Sequence, residues 1–153
     1  MCTMLRKVAI LVSCIAYVFG KKLLCSSDSV TIWYTYEGEF MDAFLSVSPC
    51  LLGQSEYHVI LSGILMSPVS SIGATVSVWS KGVKWFEVHH RTEPCEYFKI
   101  CQLIKGESFR DTIPLYTKSF HQQLTPGTYL VFVKLFRPET FLQLNITVDI
   151  KEK

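Results

Sequence analysis

Six cysteines, four histidines and one Asn-x-Thr triplet are the residues of this 153-residue chain whose types and spacing could do chemistry. Cys2 and Cys14 sit in an apolar N-terminal stretch; Cys25, Cys50, Cys95 and Cys101 lie beyond it. In an oxidising compartment those last residues read as two disulfides, with three connectivities open. Zinc is the rival for Cys95-x5-Cys101, but the paired short spacings of structural zinc sites are missing and secretion argues against retained thiolates. No metal and no cofactor is expected. His89 and His90 are adjacent, so on a strand they point to opposite faces and cannot readily act together. Ser26, Ser27 and Asp28 suit a turn better than a triad, with no nearby histidine to serve as base. Glycine-rich phosphate loops are absent. Catalysis is therefore not expected. Asn145-Ile146-Thr147 is an N-glycosylation acceptor, and Asn145 falls on the polar side of the last strand, where such a site needs to be.

The compartment follows from the N-terminus. Residues 1–20 have the parts of a signal peptide: Arg6 and Lys7, an apolar run from Val8 to Phe19, and Val18-Phe19-Gly20 as a cleavage site. The apolar run is about 12 residues, and a membrane span needs roughly 20. The expectation is a secreted, extracellular domain over 21–153 with no membrane span. Arg6 and Lys7 leave with the signal, which reduces 15 basic residues to 13, against 13 acidic ones. The mature chain is near neutral and keeps no basic block that could form a phosphate-binding stripe, so no nucleic-acid partner is expected.

Alternation of period two runs through the mature chain and assigns its elements. Val30 to Tyr36 is the first strand, with Val30, Ile32, Tyr34 and Tyr36 on one face. Phe40 to Val47, Tyr57 to Leu65, Ile72 to Trp79 and Val83 to Val88 follow, the last two joined by a Ser80-Lys81-Gly82 turn. Phe109 to Tyr116, Thr128 to Phe136 and a strand carrying Leu142, Leu144, Ile146, Val148 and Ile150 complete the set. Thr125-Pro126-Gly127 and Arg137-Pro138-Glu139 mark turns. No helical period is sustained, so the fold class is all-β, a sandwich or barrel. Thr128 to Phe136 is apolar on both faces, unlike an antiparallel strand with one solvated side. Either a loop covers its outer side, or one face lines a cavity and the other meets a partner.

The run Cys25 to Tyr36, the Ser46-Val47-Ser48-Pro49-Cys50 ending, Cys101-x3-Lys105-Gly106-Glu107, Thr112-Ile113, Lys118 and Gly127-x-Tyr129 together resemble the ML (lipid-recognition) family, in particular its Toll-like receptor 4 co-receptor branch. The resemblance covers nearly the whole mature chain. It implies an immunoglobulin-like cup of two antiparallel sheets holding the acyl chains of lipid A, or of lipopolysaccharide, between them. It implies the pairings Cys25–Cys50 and Cys95–Cys101, and the Toll-like receptor 4 ectodomain as partner in innate immune signalling. Common parity within each strand then makes Ile32, Leu45, Val47, Val59, Leu61, Val76, Ile113, Leu115, Tyr129, Val133, Leu142, Ile146 and Val148 the lipid-facing residues. Lys84, Arg91 and Lys118 are expected at the headgroup rim. Lys105, Gly106, Glu107, Phe120 and Leu124 are expected to face the receptor. The sequence departs from the family where a third disulfide would join the first and last strands: Glu37 and a residue near Gln143 stand there. A two-residue insertion lengthens His121 to Leu124, Pro114 and Tyr116 replace small polar residues, and Glu87 and Glu93 thin the basic rim. These changes bear on tight lipopolysaccharide binding more than on lipid binding. The alternatives are a soluble carrier of sterols or glycolipids and the sister co-receptor of another Toll-like partner.

Overall fold

Alternating β-branched and aromatic residues form strands wherever one face can be buried, and nine form among the described residues. These residues are 20–94, 103–116, 124–137 and 139–152 of a computed structural model. The strands are β1 (Lys22–Ser26), β2 (Val30–Gly38), β3 (Phe40–Ser48), β4 (Glu56–Leu65), β5 (Ser71–Ser80), β6 (Val83–Pro94), β7 (Ser108–Tyr116), β8 (Gly127–Arg137) and β9 (Glu139–Ile150). They make a six-stranded sheet in the order β1-β2-β9-β8-β5-β6 and a three-stranded sheet in the order β3-β4-β7. Every pairing is antiparallel. The fold is thus the all-β sandwich expected from the strand pattern.

Two elements differ from the expectation. β1 carries no alternation of its own; pairing with β2 makes it a strand, with an irregularity between Leu23 and Cys25. β6 continues to Pro94, well beyond Val88, because its ladder with β5 runs on to the Ser71–Pro94 pair. The polar run His89-His90-Arg91 suits an edge strand, where charged residues discourage pairing with other chains. The β5–β6 turn matches its sequence: Lys81 and Gly82 have φ of 50° and 77°, the pair of positive values that a two-residue type I′ hairpin requires.

Register decides which residues meet. β2 and β9 pair along their full length, and Glu37 stands directly opposite Gln143. The two positions at which the resemblance would place a third disulfide are therefore cross-strand partners. Facing residues gather into two clusters. One, at the β2–β3 end, holds Tyr34, Phe40, Leu45, Leu65, Phe109 and Leu142. Its Phe40 and Phe109 rings meet edge to face at 5.5 Å. The other, at the β1–β2 turn end, holds Val30, Val78, Tyr129 and Ile150.

Candidate functional site

The candidate site is the β6–β7 side of the sandwich, opposite the edges that are tied together. β1 lies closest to β3 across the two sheets. Edge strand β3 has backbone N–H groups with no sheet partner, and β2 satisfies two of them. Tyr34 Oη accepts from the Leu45 N–H at 3.1 Å, and Tyr36 Oη accepts from the Ala43 N–H at 3.2 Å. Lys22 Nζ donates to the Ala43 carbonyl at 3.1 Å and lies 5.0 Å from the Tyr36 ring centre. The disulfide Cys25–Cys50 joins the same edges, with Cα atoms 5.8 Å apart. At the β2–β3 end, Arg137 of β8 bonds the Glu39 carboxylate, the Ser67 hydroxyl and the Pro68 carbonyl. That charge-assisted cluster ties the six-stranded sheet to the connections of the three-stranded one.

The opposite edges, β6 and β7, lie across the sandwich from these ties. Inward-facing apolar side chains there remain in solvent: Ile113 is 41% and Leu115 46% exposed on β7, and Val88 is 55% exposed on β6. Leu65, on the adjoining strand at the packed end, is 0% exposed. Trp85 adds to this margin through an irregularity. Val78 pairs with Phe86 and Trp79 with Lys84, leaving Trp85 as the extra residue of a bulge. Bulges re-aim side chains, and the Trp85 ring meets the inward Tyr129 ring edge to face at 5.2 Å. Sequence alternation gave no signal for this. Exposed apolar side chains therefore stand on the edge strands of both sheets, Val83, Trp85 and Val88 on β6 and Ile113 and Leu115 on β7. Apolar side chains of this kind are suited to contact with hydrocarbon. No group of three or more His, Cys, Asp or Glu residues is placed to hold a metal among those residues.

The register places all the residues expected to face lipid on the inward surfaces. They do not share one open space. Leu45, Tyr129 and Leu142 are buried in packing. Val59, Leu61, Val133 and Ile146 pack against the first cluster, and Ile32 and Val148 against the second. Val47 and Val76 are half-buried, and Ile113 and Leu115 line the open margin. Val83, Trp85 and Val88 belong to that margin and were not foreseen.

The rim residues are dispersed. Lys84 was expected at the mouth but stands on the outer face. Its Nζ is 5.4 Å from the Trp79 ring centre and 2.9 Å from Glu87 Oε2. Hydrogen bonds from Lys84 and then His89 hold the Glu87 carboxyl below its ordinary pKa. Arg91 is exposed on β6. Lys105, Gly106 and Glu107 form a turn fixed to the end of β4: the Gly106 N–H donates to the Leu65 carbonyl at 2.7 Å and the Leu65 N–H to the Glu107 carbonyl at 3.2 Å. Gly106 has φ 85°, as the third position of a type II turn requires. Leu124 lies at the other end of the sandwich, packed against the second cluster and beside a cleft of about 780 Å³. The turn and Leu124 therefore do not form one patch. Lys118, Phe120, Cys95 and Cys101 lie outside the described residues.

No protein-family model matches the chain, and no curated protein sequence does. Solved structures do. Chicken MD-1 in complex with lipid IVa superposes with a TM-score of 0.70 at 16% identity, covering 86% of this chain and 98% of that one. A Niemann-Pick type C2 protein from Japanese carpenter ant superposes with a TM-score of 0.52 at 17% identity, covering 83% and 96%. Both are ML-domain proteins, and the fold of this chain is the ML fold, an immunoglobulin-like pair of antiparallel sheets.

Proposed function

We propose that this chain is a secreted, non-enzymatic lipid carrier that takes acyl chains between its sheets through the β6–β7 side. The carrying observation is the asymmetry of the sandwich: a seam of tyrosine hydroxyls and a disulfide on one side, and exposed inward-facing Val88, Trp85, Ile113 and Leu115 on the other. An apolar margin of this kind on a soluble domain marks a ligand or partner site. Burying it against hydrocarbon contributes roughly 25 cal/mol per Å² before ordering costs. The likeness to MD-1, whose structure contains lipid IVa, supports an acylated glycolipid of the lipid A type as ligand. The natural extension is a co-receptor that presents the loaded lipid to a Toll-like receptor, with Toll-like receptor 4 the first candidate. No helix among the described residues is long and apolar enough to cross a membrane.

The test uses the chain's own fluorophores. Of its three tryptophans, Trp85 borders the opening while Trp33 and Trp79 lie on the outer face. In a Trp33→Phe/Trp79→Phe variant, a tetra-acylated lipid A analogue with brominated acyl chains is expected to quench Trp85 saturably. A brominated sterol is the second arm, and quenching by it alone would reassign the ligand class. Absence of quenching in both arms, with the fold intact, would remove the lipid reading. Capture of the Toll-like receptor 4 ectodomain by lipid-loaded but not empty protein tests the partner separately.

A further inference from the structure

The outward face of the six-stranded sheet carries an apolar patch among otherwise polar residues. Trp33, Leu130, Phe132 and Trp79 stand on it along neighbouring strands, and Leu130 is 41% exposed. Two shallow grooves of about 460 and 470 Å³ meet at Leu130 and Phe132. Asn145 and Thr147, the polar members of the glycosylation triplet, line the first together with Trp33. Register interleaves them with the apolar side chains. Asn145 stands between Thr35 and Phe132, and Thr147 between Trp33 and Leu130. Asn145 Oδ1 accepts from Gln143 Nε2 at 3.1 Å, and no hydrogen bond engages its Nδ2 among the described residues. An apolar patch with an acceptor asparagine among its residues has an occupant of definite chemistry available to it.

We propose that Asn145 carries an N-linked glycan whose innermost sugars lie against Trp33 and Phe132, making this side of the molecule a sugar-covered face. The inference rests on entry of the chain into the secretory pathway and is independent of lipid binding. A pyranose ring presents C–H groups to the negative face of an aromatic ring, a contact of the same electrostatic kind as edge-to-face aromatic pairing. In the transfer, Asn145 Nδ2 attacks C1 of the first sugar of a lipid-linked oligosaccharide diphosphate. The C1–N bond forms, the C1–O bond to the diphosphate breaks with its electron pair leaving on the diphosphate, and the amide proton passes to a base of the transferase. No oxidation or reduction occurs. β9 is a central strand paired on both sides, so attachment precedes completion of the sheet.

The experiment expresses the full chain in a eukaryotic secretory host. Recovery from the medium with Cys25 and Cys50 oxidised establishes entry. The peptide containing Asn145 should then carry glycan. Asn145→Gln and Thr147→Val should abolish it, and Thr147→Ser should keep it. Hydroxyl-radical labelling of Trp33 and Phe132 should rise about twofold or more when the glycan is enzymatically removed, as the loss of a bulky surface group implies, while Trp85 labelling stays constant. Secreted, oxidised protein with unmodified Asn145 overturns the inference, as does unchanged labelling at Trp33 and Phe132 after removal. A chain retained in the cytosol with both cysteines reduced overturns the inference and the secretion reading together.

Discussion

Tyr34 shows how much a single residue carries across the sheets. Its ring fills the first cluster, 2% exposed, while its hydroxyl accepts the Leu45 N–H of an edge strand in the opposite sheet. A buried N–H left without a partner costs about 1–3 kcal/mol. Tyr34→Phe keeps the ring and removes the acceptor, so it is expected to lower stability by about 2 kcal/mol. Tyr36→Phe should cost less, because Tyr36 is only half-buried and its bond to the Ala43 N–H is more open to water. Urea unfolding of the two variants checks both the size and the order; a shift in midpoint with an unchanged m-value attributes the loss to the folded state. Equal, negligible shifts would mean that water replaces both hydroxyls and that the seam is held by other contacts.

Among the elements, the β5–β6 hairpin sets the open margin, because it delivers Val83, Trp85 and Val88 to the edge. Its turn depends on Gly82, at φ 77° with nothing within 4 Å of where a Cβ would stand. Substitution there meets a backbone penalty and no collision. Gly82→Ala is expected to cost about 1–2 kcal/mol, the ordinary price of a left-handed conformation for a residue with a Cβ. Because the bulge at Trp85 follows directly, the same variant should also weaken the Trp85–Tyr129 contact, read as a red shift of Trp85 emission in the Trp33→Phe/Trp79→Phe background. Lost stability without that shift would separate the turn from the bulge.

For the whole molecule, the Cys25–Cys50 bond and the tyrosine seam act together on one side, so that any widening takes place on the other. Loss of a disulfide that closes a loop of 25 residues is expected to cost about 3 kcal/mol, largely through the unfolded chain. Cys25→Ala/Cys50→Ala should therefore unfold at lower denaturant concentration. It should also raise hydrogen exchange in β1 and the β3 end near Ser48, with β8 and β9 unaffected below global unfolding. Uniform acceleration across all strands would show that the bond stabilises the chain without holding the seam.

The sequence by itself determined the strands from β2 onward and their faces. Alternation along Val30–Tyr36 and Leu142–Ile150 identified which side of each strand turns inward, because the pleat fixes side-chain direction residue by residue. It also placed Asn145 on the polar side of its strand, and turn-forming residues placed a turn at Ser80-Lys81-Gly82. The tertiary structure alone decided how those inward faces are apportioned. Leu45, Tyr129 and Leu142 share parity with Ile113 and Leu115, yet the first group is packed and the second lies open. Parity says nothing about the distance between sheets, which depends on ties such as Tyr34 to Leu45 and Arg137 to Glu39 between residues far apart in the chain. β1 as a strand, the inward turn of Trp85 and the outward placement of Lys84 are likewise consequences of pairing and register. Each is set by a partner strand, and a local sequence window does not contain its partner.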